Sequence, residues 1–178
     1  MELFIYALIF IFFSTFVKIP GLEITIQILP AFIGYLLLIF AIRKHKKTEP
    51  SFAEVEYLSI AMFVYTLIEF VSGLVEFDLM FKSEVVANLL YPITTVIIPL
   101  FITYRIIWSF RNLEFQNDLK LNTDLLTQLW AYLTILMIVN LILKDNVLTT
   151  IILVASLLVK AMIIYNLRKT IKIYKLSQ

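Results

Sequence analysis

Residues 57–76 read YLSIAMFVYTLIEFVSGLVE. Twenty mostly apolar residues are what a helix needs to cross a bilayer, and Glu69 sits near the middle of them. Residues three and four apart share a helical face. On one face fall Ser59, Met62, Thr66, Glu69, Gly73 and Glu76, flanked by Tyr65 and Ser72. The opposite face carries Ile60, Phe63, Val64, Leu67, Val71 and Leu74. An ionisable group at the bilayer centre costs about 2.5–3.5 kcal/mol on insertion scales, so it is expected to face protein or water. The polar stripe is therefore predicted to turn inward.

The rest of the chain fits that solvent. It has 178 residues, 61% of them hydrophobic and only 16% charged, with a mean hydropathy of +0.94. Soluble domains run near 45–50% apolar and about 25% charged. Three Gly, five Pro and no Cys exclude collagen-like and disulfide-rich classes. Six apolar stretches appear, at 3–17, 28–42, 57–76, 85–104, 124–143 and 147–167. These predict an all-α, polytopic membrane helix bundle of six transmembrane helices, forming a single integral membrane domain over 1–178. The first stretch has no basic leader and no small-residue cleavage site, which favours a retained helix over a signal peptide. Between the first two spans, Pro20-Gly21 signals a turn. Leu22, Ile24, Ile26 and Ile28 then alternate with polar residues, which fits either a short extended segment or a frayed start of the second helix. Ser51 and Glu54 have the spacing of a capping box, and Ser83 precedes Glu84 in the same manner.

Lys and Arg near span ends set orientation. With the N-terminus inside, Arg43, Lys44, Lys46, Lys47, Arg105, Arg111, Lys120, Arg168, Lys169, Lys172 and Lys175 are cytoplasmic, against Lys18, Lys82 and Lys144 outside. Both termini are thus expected in the cytoplasm, in a bacterial plasma membrane. Trp108, Phe110 and Phe115 suggest an interfacial segment between the fourth and fifth spans. The tail continues helix six, with Ile164, Leu167, Ile171 and Tyr174 on one face and Arg168, Lys172 and Lys175 on another.

Two further stripes match the one around Glu69. The fourth span offers Asn88, Pro92, Thr95, Pro99 and Thr103, with Tyr91 adjacent. Each proline removes an amide and frees the carbonyl four residues back, and in lipid a freed carbonyl needs another partner. The sixth span aligns Thr149, Ser156 and Lys160. Counting rise from the inner boundary puts Glu69 about 18 Å and Lys160 about 10 Å up. Lys160 either reaches Glu69 or snorkels to the cytoplasmic interface, and its nearness to that interface favours snorkelling. The candidate intramembrane polar site is Glu69, Thr66, Gly73, Tyr91, Thr95, Pro99 and Lys160. It could serve a small solute or ion, dock another membrane subunit, or act only as interhelical hydrogen-bonding glue.

Chemistry elsewhere is sparse. The one histidine, His45, lies in a basic loop, and no metal, hydrolase or phosphate-loop motif is present. No enzymatic activity and no cofactor are expected. The expected partners are membrane lipids, with another membrane subunit or a small solute, and no nucleic acid.

The stretch Ile28-Leu29-Pro30-Ala31-Phe32-Ile33-Gly34-Tyr35 resembles an I-L-P-x-F-I-G-Y pattern in uncharacterised small multi-pass membrane proteins of Gram-positive bacteria. Relatives with that pattern often carry Asp where this chain has Ala31. The resemblance covers about ten residues and implies membrane location, with no settled activity attached. In size and span count the chain also resembles the substrate-binding subunit of energy-coupling-factor vitamin transporters, although the Ala-x-x-x-Ala signal of their first helix is missing from 3–17. Solute binding or transport, alone or as a subunit, is the leading expectation. The alternatives are a non-transporting accessory or regulatory subunit and an energy-coupling-factor-like binding subunit.

The orientation has a direct check. Green fluorescent protein fused to either end, which fluoresces only in the cytoplasm, is expected to be bright, and alkaline phosphatase at either end inactive. Phosphatase activity at one end would overturn the even number of crossings.

Overall fold

The computed structural model describes residues 1–14, 16–18, 25–75, 92–143 and 146–177. Among them are six α-helices: α1 (Glu2–Phe12), α2 (Ala31–His45), α3 (Glu56–Val75), α4 (Ile98–Gln116), α5 (Thr123–Ile142) and α6 (Asn146–Leu176). Two three-residue strands, β1 (Phe16–Lys18) and β2 (Thr25–Gln27), pair antiparallel with Val17 opposite Ile26. The extended option for the first loop thus holds at Thr25–Gln27. Four helical stretches are long and apolar enough to cross a membrane: Pro50–Ser72, Ile93–Gln116, Thr123–Ile142 and Val147–Leu176. α1 is apolar but shorter. Each helix packs on the next, and α6 returns against α1, so the bundle closes into a ring.

α1 departs from the predicted span 3–17. It stops at Phe12, and Phe16–Lys18 is strand. β-Branched Val17 favours extended backbone, and the helix end is closed locally. The Phe13 amide binds the Ile9 carbonyl at 3.1 Å, and the Ser14 hydroxyl donates to the Ile11 carbonyl at 3.3 Å.

The start of α3 is also corrected. A 3-10 turn, Pro50–Val55, precedes it, and its cap is Glu49, not Ser51. Glu49 accepts from the Ser51 amide at 3.3 Å and the Ser51 hydroxyl at 2.6 Å. Glu54 does not reach back to the turn; it forms an ion pair with Arg105 of α4. A cation brought close by tertiary packing outcompetes a local amide for a carboxylate. Ser83 and Glu84 lie outside the described residues.

The expected interfacial segment after the fourth span is continuous helix instead, because α4 runs on to Gln116. Phe110 is fully buried and packs with Phe4 and Phe52 at centroid distances of 6.0 and 5.7 Å, while Phe4 and Phe52 stack at 4.8 Å. Aromatic contacts add about 0.5–1.5 kcal/mol each beyond area burial. Around this plug lie ion pairs of Glu56 with Arg43 and Lys46, both at 2.8 Å, and of Glu2 with Lys175 at 2.6 Å. The predicted helical tail is present, with Leu167, Ile171 and Tyr174 buried as expected and Ile163, rather than Ile164, completing its inner face.

α1 and α2 touch backbone to side chain at Gly34. A Cβ there would lie 2.8 Å from the Ala7 carbonyl oxygen and 2.8 Å from Ile11 Cγ1. Gly34→Ala gains about 1 kcal/mol of helix propensity. It loses about 1–3 kcal/mol to overpacking, because a backbone carbonyl must move. The net expectation is a lower thermal midpoint for the detergent-solubilised protein, measured by circular dichroism, and a larger loss for Gly34→Val. An unchanged midpoint in both would refute the close approach.

Candidate functional site

The inward stripe of α3 is as the periodicity predicts. Ser59, Met62 and Thr66 are buried, while Val64 and Val71 on the far face are exposed. Ser59 and Thr66 donate their hydroxyl protons to carbonyls of their own helix and its leading turn, Met62 for Thr66 and Val55 for Ser59, both at 2.7 Å. Glu69, one turn beyond Thr66, is partly buried.

Opposite α3, the proline break takes a specific form. Ile93–Ile97 is a π turn leading into α4, with the Ile98 amide on the Ile93 carbonyl. Pro99 has no amide to donate, so the α register cannot be kept there. Widening the turn lets the ladder resume beyond it, a device common at functional sites. It brings Thr94 to the Tyr65 hydroxyl at 3.2 Å, tying the turn to α3.

Lys160 does not form an ion pair with Glu69. Its ammonium donates to the Phe12 carbonyl at 3.3 Å and lies 5.8 Å from the Phe12 ring centroid. The partner is the last carbonyl of α1, where the negative end of the helix dipole favours a cation. The sequence offered no route to this contact, because a backbone oxygen becomes a partner only where a helix ends.

These elements line a partly open cavity of about 470 Å³, within the usual size range of small-molecule sites. Glu69, Thr66, Thr95, Pro99 and Lys160 all line it. Tyr91 lies outside the described residues, and Gly73 is placed only as part of α3. Tyr65, which flanks the stripe, also lines it, and sequence reasoning missed Ser14, Tyr35 and Asn140. Asn140 Oδ1 is buried without a hydrogen-bond partner among the described residues. Among those residues, too, no hydrogen bond or ion pair reaches the Glu69 carboxylate. The cavity thus presents a carboxyl group and an amine that are not paired with each other.

A second cavity, of about 560 Å³, lies at the opposite end, lined by Met1, Glu2, Lys44, His45, Tyr174 and Lys175 among others. One ion pair and one close amine–imidazole contact occupy it. Lys175 holds Glu2, and the Met1 amino nitrogen lies 2.5 Å from His45 Nε2. Two positive charges cannot share that contact. Burial pushes the His45 imidazole down to about 4, helped by the positive charges of the Met1 amino group and Lys44.

In comparisons with known proteins, no family model, no curated protein and no solved structure matches the chain.

The His45 shift has a signed consequence. The folded state binds the imidazole proton less readily than the unfolded state. The stability from the neutral ring is therefore complete above about pH 6.5 and is lost as pH falls toward 4. The thermal midpoint of the solubilised protein is expected to fall over that window, and His45→Asn to flatten the fall. Parallel curves for the two proteins would sink the assignment.

Proposed function

We propose that this chain is an integral protein of a bacterial plasma membrane. It crosses six times with both ends in the cytoplasm, and it binds a small polar solute or ion in the Glu69 cavity, as a transporter or a subunit of one. The carrying observation is the cavity itself: Glu69 and Lys160 line one space without an ion pair between them. Intramembrane ionisable groups and interrupted helices mark solute pathways in transport proteins, and the π turn beside Pro99 supplies such an interruption.

The placement of the polar stripe favours this reading over an accessory subunit docked through it. A docking stripe lies on the outside of the bundle. Ser59 and Thr66 are instead only 0% and 5% exposed. Hydrogen-bonding glue alone also fits poorly, since no hydrogen bond among the described residues engages the Glu69 carboxylate.

Native mass spectrometry of the purified protein tests the reading whatever the ligand is. The wild type is expected to retain a co-purifying small molecule, and Glu69→Gln to lose it at unchanged thermal stability. No adduct on the wild type, or equal retention by the variant, would end the proposal.

A further inference from the structure

We propose that the Glu69 cavity takes a compact zwitterion, a molecule bearing an ammonium-type cation and an anionic group, with its cation on Glu69 and its anion on Lys160. This rests on the reading of the cavity as a solute site and names the class of solute.

The carboxylate from α3 and the ammonium from α6 line the same space without an ion pair. Each is costly in a water-poor bundle unless matched. A lone cation would match Glu69 and leave Lys160 facing a like charge across the cavity. A lone anion would do the reverse. One molecule carrying both signs leaves neither charge uncompensated.

Lys160 is anchored at the end of α1 by the Phe12 carbonyl and ring. That contact uses one of the three ammonium protons, so two remain to bind an anion. One pole of the site is thus oriented before the ligand arrives, which lowers the ordering cost of binding.

One turn from Glu69, the Thr66 hydroxyl proton is committed to Met62 at 2.7 Å. What Thr66 can offer a ligand is therefore lone pairs. Acceptors added to a carboxylate suit an ammonium, which brings several donors.

The shared chemistry has two natural sources, a free solute and the headgroup of phosphatidylethanolamine. The test separates them. Purified protein in lipid-free detergent is titrated by calorimetry with glycine, 4-aminobutyrate and 6-aminohexanoate, which scan the charge separation. Butylamine and butyrate serve as single-charge analogues. At least one zwitterion is expected to bind at least about ten-fold more tightly than either analogue. Glu69→Gln and Lys160→Gln are each expected to erase that preference. In nanodiscs, phosphatidylethanolamine in place of phosphatidylglycerol is expected to leave free zwitterion binding unchanged if the ligand is a solute. If the ligand is the headgroup, it is expected to block that binding.

The wild-type panel decides the matter even where a variant does not fold. Suppose butylamine binds as well as any zwitterion, or mass spectrometry finds a Glu69-dependent ligand while no zwitterion outbinds its analogues. Then the solute site stands and the zwitterion is overturned. If nothing in the panel binds, phosphatidylethanolamine does not compete and no adduct co-purifies, both readings fall.

Discussion

The contact between the Lys160 ammonium and the Phe12 carbonyl organises the end of the bundle where the cavity lies. A helix leaves its last four carbonyls without intrahelical partners. α1 has only 11 residues, so it is about 16 Å long, about half the hydrocarbon thickness of a bilayer. Unpaired carbonyls away from water are expensive. Each described solution is local or tertiary: a backbone amide on Ile9, a serine hydroxyl on Ile11, a lysine from α6 on Phe12. The same short helix leaves room beyond its end, and Ile11, Phe12 and Ser14 become wall residues of the cavity. Had α1 continued to residue 17, it would fill that room and bury the carbonyl that Lys160 now uses.

The opposite end is built on a different principle. Phe4, Phe52 and Phe110 come from α1, the 3-10 turn and α4, and all three are fully buried. Burying a Phe is worth about 1.5–3 kcal/mol, whereas exposed ion pairs contribute about 0–1 kcal/mol. The aromatic plug is therefore the main stabilising element of that end. The ion pairs of Glu2 and Glu56 around it serve chiefly to fix the register between helices. Glu114 does similar service after α4. Its carboxylate accepts from the Leu121 amide at 2.7 Å and the Thr123 amide at 3.3 Å, and it also binds the Thr123 hydroxyl. That turn needs such a clamp because Asp118 and Asn122 adopt positive φ angles of 50° and 58°, which these two residue types tolerate better than most.

What was legible in the sequence follows from period and composition. The stripe through Ser59, Thr66 and Glu69 could be read because helical spacing is local, and the inner face of α6 for the same reason. What could not be read depended on partners far along the chain. Glu54 has the position of a capping residue until Arg105, on another helix, takes it. Glu49 and Glu114 carry no local signature, since their partners are amides and hydroxyls gathered by a turn. Pro99 announces an interruption, but whether the helix kinks or widens into a π turn depends on what packs against it. The end of α1 escapes a reading by hydropathy, which runs past Phe12 without a break while the backbone conformation changes at Phe13.

Lys160 shows why the pair with Glu69 did not form. Pairing with Glu69 and escape to the interface each treat the lysine as choosing among charges and water. The structure supplies a third option, a helix end, which is a partial charge fixed in place. This difference bears on binding. If Glu69 and Lys160 met each other, a ligand would first have to separate a desolvated ion pair, and breaking such a pair costs several kcal/mol. With Lys160 held by Phe12, that cost has already been met by folding, at the α1 terminus. The two charges can then act on whatever enters between them, and the stability of the fold does not depend on their finding each other.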